Sequence, residues 1–201
     1  MPDIDPKPLL RNEMKARRAG MASELPLAAE QMAEAVAGFF DAQNDWPPAG
    51  TLIAGYYPIQ SEINPFPLMQ AFADHGCELC LPCLAPGESG FRMIFRSFAI
   101  GDSLILGPFD IRQPLDTMPE VDPDVVLVPL LAFNHDGIRL GYGGGYYDRA
   151  LERLRADKVI RAIGVAFSGQ EVADLPIEAH DQYLDGIFTE LGLAEAGSPE
   201  E

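Results

Sequence analysis

Apolar positions recur along this chain with two different periods. Between residues 23 and 41 they fall three and four apart, at Ala28, Met32, Ala35, Val36, Phe39 and Phe40. That spacing predicts an amphipathic helix, with Ser23 as its N-cap. Residues 9–18 are good helix formers, and Pro8 suits the first helical turn, where its missing N–H costs nothing. Asn64, followed by Pro65, predicts the start of a third helix running to about His75. A fourth is expected over residues 145–156.

Elsewhere the apolar residues come in short runs. Residues 51–57 (TLIAGYY), 78–84, 124–133 (DVVLVPLLAF) and 159–167 (VIRAIGVAF) read as buried strands, with Pro129 ending or bending the third. Residues 91–98 alternate in part, with Arg92 and Arg96 among apolar neighbours, and read as a half-exposed antiparallel edge strand. QYLDGIFTE ends in a short last strand. NDWPPAG at 44–50 and APGESG at 85–90 break the chain, and 101–119 reads as irregular. Strands alternating with helices imply an α/β fold. Its sheet is expected to be mostly parallel and covered on both faces, a three-layer sandwich. Residues 1–192 are expected to form one domain and 193–201 a disordered acidic tail.

Composition narrows the function. The chain has 201 residues, 47% of them hydrophobic, as in a globular domain. Its net charge of −17 argues against nucleic acid or an anionic membrane as a general partner. Anionic substrates would then require the few basic residues to gather at one place, or a cation to intervene. No 18-residue apolar run is present, and the first residues hold no apolar signal core, so a cytoplasmic protein is expected.

Cys77, Cys80 and Cys83 have a CxxCxxC spacing that invites a metal reading. On an extended segment, side chains three apart point to opposite faces, so the sulfurs would not converge. Buried small hydrophobes are the expectation. His135 sits in a turn-rich loop with no second histidine at metal spacing and reads as a surface residue.

Residues 139–149, RLGYGGGYYDR, carry the strongest candidate chemistry. Gly141, Gly143, Gly144 and Gly145 lie between an apolar strand and a helix. Glycine permits positive φ and close approach of a ligand to the backbone. A helix start offers N–H groups and a positive dipole end that suit phosphate. Arg139 adds a charged fork. A plain turn does not need four glycines. Neither GxxxxGK[ST] nor GxGxxG is satisfied.

The segment does resemble the RLG-x-G-x-GYYD signature of 5-formyltetrahydrofolate cyclo-ligases, also called methenyltetrahydrofolate synthetases. Arg139, Leu140, Gly141, Gly143, Gly145, Tyr146, Tyr147 and Asp148 fit it, with Tyr142 and Gly144 in the variable places. Lys7, Leu10 and Arg11 resemble the family's N-terminal K-x-x-x-R pattern. The resemblance spans nearly the whole domain, whose fold in turn resembles sugar-phosphate isomerases and CoA transferases. It implies ATP contacts from Lys7, Arg11 and residues 139–147. It implies folate contacts from Tyr57, Glu62, Tyr142, Gly143, Gly144, Gly145 and Tyr146, and magnesium on Asp148 and Asp181. Asp185 matches a recurrent acid better suited to a structural role. Gln113-Pro114 stands where the family usually has Glu-Pro. The implied reaction is ATP- and magnesium-dependent cyclisation of 5-formyltetrahydrofolate to 5,10-methenyltetrahydrofolate, by a monomer or weak homo-oligomer. Two other readings stay open. One is a different enzyme on the same architecture, such as a sugar-phosphate isomerase or CoA transferase. The other is a non-catalytic nucleotide or folate binder.

Overall fold

The computed structural model describes residues 6–87, 90–195 and 197. In chain order the helices are α1 (Lys7–Glu24), α2 (Ala28–Gln43), α3 (Phe66–Asp74) and α4 (Tyr146–Asp157). The strands are β1 (Leu52–Ala54), β2 (Glu78–Gly87), β3 (Gly90–Ser97), β4 (Leu104–Leu106), β5 (Arg112–Pro114), β6 (Glu120–Val121), β7 (Val125–Pro129), β8 (Ala132–Phe133), β9 (Arg139–Leu140), β10 (Arg161–Val165), β11 (Gly186–Thr189) and β12 (Gly192–Glu195). The main sheet runs β12-β11-β10-β7-β1-β2-β3-β6. From β11 to β2 the neighbours are parallel; β12, β3 and β6 add antiparallel pairs at the two ends.

Alternation along the central strands sends successive side chains to two different cores. Ile53, Leu79, Leu81, Leu127 and Ile163 pack with Met32 and Val36 of α2 and Leu68 and Phe72 of α3. Ala54, Cys80, Val126, Val128 and Ala162 pack with Ala150, Leu151 and Leu154 of α4. The result is the expected helix–sheet–helix sandwich. Met14 of α1 joins a third cluster with Leu131, Ala132 and Leu140, so α1 reaches the β8–β9 pair. The cysteines behave as small hydrophobes: all three are buried and unpaired, with Cys77 and Cys80 in opposite cores. Burial pushes the Cys83 thiol up to about 12.

Several expected boundaries move. Ser23 does not cap a helix. It lies in the last turn of α1 and its hydroxyl donates to Ala19 O, while α2 starts at Ala28 after Leu27. Pro65 rather than Asn64 is the N-cap of α3; Asn64 Oδ1 accepts the Phe66 N–H at 3.1 Å. β3 is antiparallel but not at the edge, because β6 pairs outside it. Residues 101–119 hold the β4–β5 hairpin, closed by a 3-10 turn at Pro108–Asp110. Pro129 does end β7. The sheet continues to Glu195, past the boundary expected at 192, because β12 pairs antiparallel with β11. The rest of the expected tail, apart from Gly197, lies outside the described residues, as do residues 88 and 89 of the APGESG turn. Among the described residues, no helix is long and apolar enough to cross a membrane.

Candidate active site

A cleft of about 700 Å³ opens where the carboxyl ends of β1 and β7 meet the start of α4. Open α/β sheets bind ligands at such edges. Lys7, Arg11, Tyr57, Glu62, residues 139–148 and Asp181 all line it. Residues from opposite ends of the chain thus share one cavity, and Lys7, Arg11, Arg139 and Arg149 bring positive charge to it.

The glycine segment forms one wall. Gly143 has φ +93°, and Gly145, with φ +63°, is the N-cap of α4. Both lie in the left-handed region that disfavours a Cβ. A Cβ on Gly143 would also lie 3.0 Å from Arg11 Cζ. Arg11 Nε donates to Gly141 O at 3.1 Å, which lays the guanidinium along the turn. No side chain caps α4, so its positive end faces the cleft without a bound carboxylate cap. Arg149, one turn into α4, folds back so that Nη2 donates to Gly144 O at 3.0 Å.

Carboxylates hold two of the cations. Arg139 donates to Asp148 Oδ1 and to the Gln182 carbonyl, and Asp148 Oδ1 also accepts the Gln182 N–H at 3.1 Å. Lys7 Nζ lies 2.9 Å from Glu178 Oε2 and 3.0 Å from Asp181 Oδ2, with only 8% of the side chain exposed. Burial alone would lower the Lys7 pKa; its bonds to Glu178 and Asp181 outweigh that and raise it. Burial pushes Asp181 up, but the Glu178 N–H and Lys7 outweigh it, so its pKa is lowered. Glu178, His180 and Asp181 bring one ligand atom each within 4.8 Å of one another. Asp148 is not in this compact group, although it lines the same cleft.

The opposite wall follows β1. The Tyr57 ring meets Phe66 edge-on at 6.0 Å, with Arg112 above it. The Glu62 side chain is 4% exposed. Its Oε2 accepts the Ile59 N–H at 2.9 Å, and Oε1 lies 3.7 Å from Arg18 Nη1. Burial dominates both favourable contacts and pushes the carboxyl up to about 7. A carboxyl perturbed in this way inside a cleft is a candidate for a functional role.

That shift has a consequence for stability. The folded protein keeps a proton on Glu62 that the unfolded chain releases near pH 4.5. The group therefore favours folding most below its unfolded pKa, and its contribution falls as pH rises to about 7. Between pH 5 and 8, Glu62→Gln should gain on wild type by about 2–3 kcal/mol in urea unfolding. Parallel pH profiles for the two proteins would refute the assignment.

Other sequence candidates fall outside the cleft. The His135 side chain is 74% exposed and pairs with Asp136. Asp185 accepts the Ala162 N–H at 2.7 Å and an Arg155 bond at 3.1 Å, a structural role. Gln113 does line the cleft; it is buried, and its Oε1 accepts the Leu84 N–H at 3.1 Å, tying β5 to β2. As an amide it fills that place without an added charge.

Arg149, the last residue of the glycine segment but given no role there, also lines the cleft, as do Glu178, His180 and Phe109, whose sequence context did not single them out. Arg18 follows Lys7, Arg11 and Lys15 in a basic run of the kind that usually forms a solvated helix face, yet it is 1% exposed. The available signal was spacing. Lys7, Arg11, Met14 and Arg18 repeat four, three and four apart, so α1 turns a largely charged stripe inward.

Matches to known proteins bear on the chain's family and fold. The chain is 31% identical over 141 residues to the 5-formyltetrahydrofolate cyclo-ligase of Escherichia coli, covering 68% of this chain and 76% of that one. The solved 5,10-methenyltetrahydrofolate synthetase of Aquifex aeolicus matches with a TM-score of 0.73 at 27% identity, over 98% of this chain and 95% of that one. The synthetase of Mycoplasma pneumoniae, at 24% identity and a TM-score of 0.69, covers 93% of this chain and 99% of that one and shares the fold. The model of the 5-formyltetrahydrofolate cyclo-ligase family matches residues 3–190, and the chain belongs to that family of enzymes.

Proposed function

We propose that the protein cyclises 5-formyltetrahydrofolate to 5,10-methenyltetrahydrofolate with cleavage of ATP to ADP and phosphate. The observation that supports this reading is one cleft with a glycine turn at an uncapped helix start on one wall and a buried carboxyl on the other. The formyl oxygen of an amide is a poor leaving group. Transfer of the γ-phosphoryl group forms a bond from that oxygen to phosphorus and breaks the bond to ADP. N10 then attacks the same carbon and gives up its proton, the carbon–oxygen bond breaks, and phosphate departs.

Such chemistry asks the chain for positioning and charge balance rather than a covalent residue. Backbone N–H groups of Gly143, Gly144 and Gly145 would cradle phosphate oxygens, with Arg11 along the turn and Lys7 and Arg139 at its side. Leu140 and Gly141 set the entry to the turn, and Tyr146 and Tyr147 its exit. Tyr57 and Glu62 would orient the folate, and Tyr142 stands between the two substrates. Asp148 and Asp181, which line the same cleft, would supply the kind of oxygen ligand that a hard divalent ion such as magnesium prefers. Bound there, it would neutralise phosphate charge.

The test is direct. Protein, magnesium, ATP and 5-formyltetrahydrofolate should give the absorbance of the methenyl product, and leaving out ATP should abolish it. Product without ATP, or none with it, would overturn the reading.

A further inference from the structure

We propose that Arg18, whose side chain is not among those lining the cleft, is a positioning residue that sets the distance between the cleft's two walls. The inference rests on the cyclisation reading above. Arg18 reaches up from the buried face of α1 into the joint between three segments. Nε donates to Ser61 Oγ at 3.1 Å, and Nη1 donates to Leu130 O at 3.1 Å, just beyond β7. Nη1 also lies 3.7 Å from Glu62 Oε1. Nη2 donates to the Tyr142 hydroxyl, in the middle of the glycine segment. That hydroxyl in turn donates to Gln60 Oε1 at 3.3 Å, closing a ring of contacts back to the Ser61–Glu62 loop.

The choice of arginine follows from this geometry. A guanidinium has five donors in a fixed plane and stays charged at any working pH. Lysine would keep the charge, but its ammonium is a single point that cannot span the same partners. The loop it holds needs holding. Gln60 has φ +52°, a left-handed conformation that is strained for a non-glycine residue. Arg18 also lies beneath the Tyr142 ring, 5.5 Å from its centroid, which fixes the ring face as well as the hydroxyl. The wall that carries the phosphate turn and the wall that carries Glu62 are therefore joined through one buried side chain. Phosphoryl transfer between two bound substrates depends on that spacing, and a misplacement of about 1 Å can cost about 100-fold.

The experiment is a double-mutant cycle of Arg18→Lys and Tyr142→Phe, read by steady-state kinetics per folded molecule. Arg18→Lys should lower kcat about 100-fold and change the two KM values by less than about threefold. Tyr142→Phe removes one hydroxyl and should lower kcat on its own. The double variant should be no worse than Arg18→Lys, because both break the same joint. Losses that multiply, or an Arg18→Lys enzyme with wild-type kcat and lowered thermal stability only, would leave Arg18 as ordinary packing and overturn the proposal. If Arg18→Lys does not fold, Tyr142→Phe decides alone, and wild-type kcat in it overturns the proposal. A wild-type protein that forms no methenyl product overturns the cyclisation reading itself, and the positioning role with it. A wild-type protein that turns over beside undisturbed variants overturns only the positioning role.

Discussion

Asp148→Asn should lower kcat on the order of 10³-fold while leaving the fold in place. The geometry explains why the two effects separate. Asp148 Oδ1 accepts from Arg139 and from the Gln182 N–H, and an asparagine oxygen can accept from both. The local hydrogen bonds therefore survive. What disappears is a negative charge in a partly buried position, with 19% of the side chain exposed, beside the turn assigned to phosphate. That charge balances Arg139 and is half of the proposed magnesium pair. Rates should be measured at saturating ATP and folate across a magnesium titration, with thermal unfolding as the control for folding. A variant with wild-type rates would remove Asp148 from the site. A variant with a lowered unfolding midpoint and unchanged kcat would assign it to structure alone.

Gly143→Ala should raise the KM for ATP about 30-fold and leave that for the folate within about threefold. Two costs act together. The backbone at 143 has φ +93°, where a Cβ costs about 1–2 kcal/mol. The same Cβ would meet the Arg11 guanidinium, its nearest atom Cζ at 3.0 Å. Arg11 is flexible enough to move away, but moving breaks its bond to Gly141 O and swings its charge off the turn. A combined loss near 2 kcal/mol corresponds to about 30-fold. The position is exposed, so global stability should change little. Equal increases in both KM values would show that the turn serves both substrates alike and would count against its phosphate role.

The two periods of the hydrophobic pattern were enough to read the layers. Helices with apolar residues three and four apart needed a sheet to cover, and short apolar runs with little polar alternation needed cover on both sides. The buried residues on both faces of β7 and β10 are that pattern realised. The glycine segment was legible for a related reason: positive φ is a local demand, and glycine answers it locally. Gly143 and Gly145 have positive φ, although Gly141 and Gly144 do not. Element ends were less legible. Ser23 looks like a cap in isolation, yet α1 continues through it because Met21 and Ala22 pack against the main core.

Charge was read least well, since the sign of a side chain says nothing about what it will meet. Lys7 and Arg18 sit in one basic run, and both are buried because acids distant in sequence meet them: Glu178 and Asp181 in one case, Glu62 in the other. Residue types and local conformation are properties of short segments, so the layers, the phosphate-type turn and the family could be argued before any coordinates. The raised pKa of Glu62, the pairing of Arg139 with Asp148 and the joint around Arg18 depend on desolvation and on partners far along the chain. Those quantities exist only after β1, β7 and α1 have been brought to one edge of the sheet.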